Sequence, residues 1–227
     1  MTDATGGSLI TLRCWCPHAV FADRMPDMLE TLEALGGVVL VARPVHQVRA
    51  VEPGSVPAHL LLAWLPAPDG AETFWQRLEE SGTAALLSRP RPALVLAVSG
   101  LPADGLGPDI PTLANVGKKT EADGPGFLVI EGTADDQDRM DRYRDILLPM
   151  MVARDAYYVA FELGGSVRVL SGDWNEAIFA VSRWPSPARA LDCWKADRYQ
   201  RDAIPLRLDI GHFSVLLTHG GDTAGGD

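Results

Sequence analysis

The chain, 227 residues long, repeats its own pattern. A step of 119, the separation of Trp75 from Trp194, also sets Pro66 and Pro68 on Pro185 and Pro187. The same step sets Val48-Arg49 on Val167-Arg168, and Leu29, Ala71 and Leu87 on Leu148, Ala190 and Leu206. Identity is low, but the hydrophobic pattern follows the step without a gap, and such a repeat implies two copies of one supersecondary unit. In the first copy, residues 9–16 alternate and are rich in β-formers, which predicts a strand. Residues 21–35 carry Met25, Met28, Leu29, Leu32 and Leu35 at helical spacing and stop at Gly36-Gly37. A buried strand over 38–42, irregular as far as Val51, is followed by a strand at 59–65, a helix at 71–87 broken at Gly82, and a strand at 93–98. The second copy predicts a strand at 127–131 and a helix at 136–153 kinked by Pro149. A strand over 157–170 interrupted at Gly164-Gly165, a strand at 177–184, a helix from Pro187 to about Gln200 and a strand at 212–218 complete it.

Each copy thus reads βαββαβ, the ferredoxin-like unit, with both helices on one face of a four-stranded antiparallel sheet. The bare sheet faces must be covered, and two units in one chain can cover each other. The expected fold class is therefore α+β: two tandem ferredoxin-like units forming an intramolecular α+β barrel with helices outside. The expected organisation is a first unit at 8–100, a Pro- and Gly-rich linker at 101–125, a second unit at 126–220, and tails at 1–7 and 221–227.

Charge excludes some roles. Thirty Asp and Glu against 20 Lys and Arg give a net charge of -10, a field that repels nucleic-acid backbones and anionic lipid. The longest apolar runs, 38–42 and 60–65, fall far short of the roughly 18 residues of a membrane span. The first residues lack the basic and then apolar pattern of a signal peptide. These features lead us to expect a soluble, cytoplasmic protein, and the Arg-over-Lys bias suggests a high-GC bacterial source. The expected partner is a small molecule, with no nucleic acid and no membrane; a homodimer is left open.

The second copy also carries a set of residues resembling a known family. They are Tyr143 and Pro149, Gly164-Gly165, the turn Ser171-Gly172-Asp173-Trp174, the run from Phe179 through Arg183-Trp184-Pro185-Ser186, Ala190, Trp194, Tyr199-Gln200 and Arg207. This pattern resembles domain-of-unknown-function family 1330, within the dimeric α+β barrel superfamily, over 126–218. The family's Gly-Gly pair after the first helix is replaced here by Asp155-Ala156, whereas the first copy keeps it as Gly36-Gly37. The first copy in turn has Pro53-Gly54-Ser55 where the family has Gly-Asp-Trp, so it reads as a diverged duplicate. The superfamily includes cofactor-free monooxygenases, muconolactone-type isomerases, haem enzymes such as chlorite dismutases, and ligand-binding domains.

The resemblance implies a cofactor-independent small-molecule enzyme of oxygenase, isomerase or cyclase type. Its substrate would be an aromatic, polyketide-like or oxo-acid metabolite of secondary metabolism. The alternative is a non-catalytic metabolite-binding or structural barrel. Asp173 and His212 are candidate bases, and Arg168 and Arg183 candidate partners for a developing oxyanion, because guanidinium groups grip oxygen pairs. Trp174, Tyr143, Tyr158, Tyr199 and Trp194 are candidate walls, each offering an apolar body with a polar tip. Asp173 is equally suited to capping its turn, and Trp194 to the core, since Trp75 holds its place in the other copy. His46 and His59 are further candidate bases. Haem would need an axial histidine facing a pocket, and no cofactor is expected. Cys14, Cys16 and His18 alternate as metal ligands might, but no fourth ligand has zinc-like spacing, so no metal is expected and the cysteines read as buried and small. All four tyrosines lie in the second copy, which places the expected ligand site there, between sheet and helices.

Overall fold

The computed structural model describes residues 6–44, 47–52, 54–99, 101, 110–163 and 166–220. His46, Pro53, Gly164-Gly165, residues 102–109 of the expected linker and most of the expected tails lie outside the described residues. The first half runs β1 (Ser8–Cys14), α1 (His18–Ala34), β2 (Val38–Pro44), β3 (Val48–Ala50), β4 (His59–Leu65), α2 (Gly70–Glu80), α3 (Thr83–Leu87) and β5 (Leu94–Ser99). After a short α4 (Leu113–Val116) come β6 (Gly126–Ala134), α5 (Gln137–Val152), β7 (Tyr157–Leu163), β8 (Arg168–Ser171) and β9 (Ile178–Trp184). The chain ends with α6 (Pro187–Lys195), a π-helical turn (Tyr199–Ala203), α7 (Ile204–Arg207) and β10 (Gly211–His219). The 119-residue step maps β2 onto β7 and β4 onto β9 end to end.

Local chemistry sets these boundaries. Pro17 ends β1 early and begins α1, so the first strand is shorter and the first helix longer than the hydrophobic pattern suggests. α1 stops at Gly36, whose φ of +69 is left-handed; Gly37 N–H donates to Leu32 O at 2.7 Å and Gly36 N–H to Glu33 O at 2.9 Å. The second half makes the same turn with Asp155 at φ 55, and Ala156 N–H donates to Met151 O at 3.0 Å. The missing Gly-Gly pair therefore alters the residue and keeps the turn, at the modest cost Asp pays in that region. Asp136 caps α5 by accepting from Arg139 N–H at 3.0 Å, and Ser186 caps α6, whose first residue is Pro187.

Both sheets are antiparallel and five-stranded, in orders β2-β4-β1-β5-β8 and β3-β10-β6-β9-β7. Four strands of each follow the ferredoxin-like order expected. The fifth is a correction to it: β3, read as the tail of β2, pairs with β10 of the second half. Likewise β8, read as the tail of β7, pairs with β5 of the first half. The exchanged strands stitch the sheets into one barrel and spare two edges from being left open.

The sheets bury their inner faces against each other through Leu9, Leu62, Val98, Phe127, Phe179 and Leu216. Helices cover the outer faces, over Phe21, Met28, Phe74 and Trp75 in the first half and Leu147, Met151, Tyr158 and Trp184 in the second. Arg13 on β1 and Glu131 on β6 form an interior ion pair at 2.6 Å between the sheets. The helix expected over 187–200 is shorter: it ends at Lys195, and the π-helical turn and α7 carry the chain back beneath α5. Among the described residues, no helix is long and apolar enough to cross a membrane.

Candidate functional site

A cavity of about 280 Å³ lies between α5 and the outer face of the second sheet. Ile130, Leu147, Leu148, Phe161, Ala180 and Phe213 supply apolar walls. The strand residues among them come from positions facing the helices, as the alternation of β6, β9 and β10 dictates. The more exposed polar rim belongs to α5, where Asp141 Oδ1 accepts from Gln137 at 3.0 Å and from Arg144 at 3.2 Å. Tyr143, Tyr158 and Arg207 supply the buried polar groups.

Arg207 sits at the end of α7 with its guanidinium stacked 3.9 Å from the centre of the Phe213 ring. Its Nη2 donates to Glu52 Oε2, a carboxylate from the first half, and its Nη1 to Tyr199 Oη at 3.3 Å. Tyr199 Oη and Tyr143 Oη lie 2.8 Å apart. Burial opposes the Arg207 charge, but Tyr143, Tyr199 and Glu52 outweigh it and raise its pKa. Burial, then Tyr143, pushes the Tyr199 hydroxyl well above its ordinary value, and burial raises Tyr158. Burial also raises Glu52, against the pull of Arg207. A water-sized void of about 10 Å³ adjoins the cavity and shares Ile130, Tyr143, Leu147 and Tyr158 with it. Tyr199 and Trp194 line that void, their rings 4.9 Å apart.

Four of the five expected wall residues are thus gathered on the helix side: Tyr143, Tyr158, Tyr199 and Trp194. The fifth, Trp174, packs with the inner-face core, its Nε1 donating to Glu131 Oε1 at 3.0 Å. Asp173 is exposed on the turn beside it. Gly172 makes that turn at φ +80, where a Cβ would come within 2.9 Å of Ala93 O. His212 stands largely exposed at the start of β10, between Thr133 Oγ1 at 3.0 Å and Glu176 Oε1 at 2.8 Å.

The arginines expected beside Asp173 do not converge on it. Arg168 pairs with Glu72 at 2.6 Å and donates to Pro68 O, because β8 has crossed to the first sheet. Arg183 is buried and donates to Lys119 O at 2.7 Å and Thr120 Oγ1 at 2.6 Å, fixing the connection between the halves. Arg207 stands out in the sequence only as part of the family pattern, and Glu52 not at all as a candidate. Glu52 reads locally as one residue of a Pro-Gly turn, and only the exchange of β3 brings it to the second half.

Cys14 and Cys16 are buried with their Sγ atoms 3.8 Å apart, while His18 is exposed. Among the described residues, no group of three or more His, Cys, Asp or Glu is placed to hold a metal ion. His59 stacks 4.2 Å from Phe21, with His18 at 5.5 Å, and its Nε2 lies 3.2 Å from Cys16 O. A carbonyl only accepts, so Nε2 carries the proton and the buried Nδ1 is bare and unpartnered. Burial lowers the folded pKa below 6.5, against the opposing bond to Cys16 and with a smaller push in the same direction from His18. The unfolded chain therefore binds the proton more readily, and this stability, full above pH 6.5, is lost as pH falls through the folded pKa. Urea midpoints should drop between about pH 7 and pH 5, and His59→Gln should flatten that part of the profile.

Comparison with known proteins bears on the fold. No protein of curated function matches the chain. DyPB from Rhodococcus jostii RHA1 superposes with a TM-score of 0.57 at 11% identity, covering 96% of this chain and 94% of that one. A chlorite dismutase variant from Candidatus Nitrospira defluvii gives 0.54 at 11% identity, covering 97% and 93%. These likenesses show the fold, a dimeric α+β barrel within one chain. Residues 125–220, the half that holds the cavity, match the family model described as Domain of unknown function (DUF1330).

Proposed function

We propose that the cavity beside α5 is the ligand site, and that it takes a small aromatic or polyketide-like molecule bearing an oxo oxygen. The observation that carries this reading is an apolar cavity of about 280 Å³ lined by the buried Arg207 and by Tyr143, whose hydroxyl is bonded to that of Tyr199 behind it. That size is close to the lower end of small-molecule sites, roughly 300 Å³, and mostly apolar walls with a few placed polar groups are their usual make-up. The chemistry such an end supports is cofactor-independent: donors fixed before the reaction stabilise an enolate or similar oxyanion, as oxygenation, isomerisation or cyclisation requires. Tyr143 and Arg207 take the oxyanion-stabilising role first expected of Arg168 and Arg183; as donors they do not take the base role first expected of Asp173 and His212. A non-catalytic binding role is the second reading, favoured by Asp173 and His212 lying away from this cavity.

Haem does not fit this lining. No described histidine or cysteine lines the cavity, and of its two tyrosines burial raises the pKa of Tyr158 while Tyr143 Oη is bonded to Tyr199 Oη, whereas a tyrosine that ligates iron is a free phenolate. We propose further that the first half is a diverged duplicate whose site has become support, since Trp75 and Phe74 fill its helix side.

The test is occlusion. Ile178 lines the cavity and is half-buried, so Ile178→Trp can fill space without disturbing the inner core. Titration with 1-tetralone, followed by tryptophan fluorescence, should show the variant binding at least about tenfold more weakly, the loss of roughly one buried ring face, with its melting temperature kept. Unchanged binding by the variant would place the ligand elsewhere.

A further inference from the structure

We infer that Arg207, anchored by Glu52, starts a one-way hydrogen-bond relay through Tyr199 to Tyr143 that makes this end of the cavity donate only, selecting ligands with a neutral oxo oxygen there. The inference rests on the cavity being the ligand site. Its direction follows from valence. A guanidinium has five donors and no acceptor, so the Tyr199 oxygen, 3.3 Å from Arg207 Nη1, must accept. Tyr199 is 1% exposed, has no other described side-chain partner and faces a void whose lining is almost wholly apolar and so unsuited to a water, which leaves Tyr143 Oη, 2.8 Å away, as the acceptor of its proton. The reverse orientation would strand the Tyr199 proton in a sealed site, which is expensive. The Tyr143 proton is then left over, on a residue that lines the cavity itself. Bonds aligned in this way polarise one another, so the last donor is strengthened.

Charge narrows the class further. Glu52 already offsets Arg207 within the same buried cluster, with side-chain exposures of 18% and 5%. A ligand carboxylate would add an uncompensated negative charge, whereas a ketone or quinone oxygen adds none. An ammonium has no lone pair with which to accept from Tyr143. The relay therefore assigns Tyr143 as the residue touching the oxo oxygen, with Tyr199, Arg207 and Glu52 as positioning residues.

Three probes of one shape test this: tetralin, 1-tetralone and tetralin-1-carboxylate, titrated into the full chain by calorimetry. 1-Tetralone should bind roughly fivefold to tenfold tighter than tetralin, the range of one net hydrogen bond. Tyr143→Phe should bring the two within about twofold, by weakening 1-tetralone more than tetralin. Glu52→Gln should improve the carboxylate probe relative to 1-tetralone, because it frees the Arg207 charge; a merely structural Glu52 would shift all three probes together. Equal binding of tetralin and 1-tetralone, or a ratio indifferent to Tyr143→Phe, would overturn the relay and leave the cavity as the site. Failure of all three probes to bind the folded wild-type chain would overturn the site itself and the relay with it.

Discussion

Glu131→Ala should destabilise the fold by about 3–5 kcal/mol, the cost of stranding one partner of a buried ion pair. Arg13 and Glu131 are 5% and 10% exposed at their side chains and meet at 2.6 Å across the barrel interior. Arg13 Nε and Nη2 are already buried without partners, so removing Glu131 leaves the guanidinium with none of its charge offset. Trp174 Nε1 would lose its acceptor as well. The double replacement Arg13→Met with Glu131→Leu should recover most of the loss, because two apolar side chains of similar volume need no pairing. Urea unfolding followed by near-ultraviolet circular dichroism measures both. A loss below about 1 kcal/mol for Glu131→Ala would mean that the interior is wet enough to hydrate the guanidinium. Asp173→Asn, one turn away and exposed, should leave the midpoint unchanged.

That contrast locates what could be read in the sequence. The 119-residue step carried the order of elements because both halves obey the same local rules: alternation for strands, three-to-four spacing for helices, a left-handed residue to stop the first helix. Even Asp155, which breaks the glycine pattern, adopts the turn that Gly36 makes. The exchange of β3 and β8 was not legible, because a strand of three or four residues does not specify its partner and the choice is made by closure of the barrel. The site followed the same division. Tyr143, Tyr158 and Tyr199 stand out as residues without aromatic counterparts in the first half, and helix-side packing gathers them. Trp174 is adjacent to Asp173 in sequence and belongs to the opposite face of the sheet, a separation that motif spacing cannot express. Glu52 and Arg207 are 155 positions apart, and their pairing depends on the exchanged strand.

Arg207→Met should cost a similar 3–5 kcal/mol, and here the loss reports on the union of the two halves. Glu52 enters from the first half and Arg207 from the second, so removing the guanidinium strands a carboxylate that burial already pushes upward in pKa. The stacking on Phe213 goes with it. Met keeps most of the side-chain volume, so the loss is electrostatic before it is a cavity effect. Glu52→Gln should cost less, since a neutral amide can still accept from Arg207. The double variant should be more stable than Arg207→Met alone, giving a coupling energy of about 1–3 kcal/mol in a double-mutant cycle. Strict additivity would mean that the pair does not join the halves. With coupling present, the relay that orients Tyr143 and the stability of the barrel rest on the same contact: the first half, though it holds none of the tyrosines, sets the polarity of the cavity in the second.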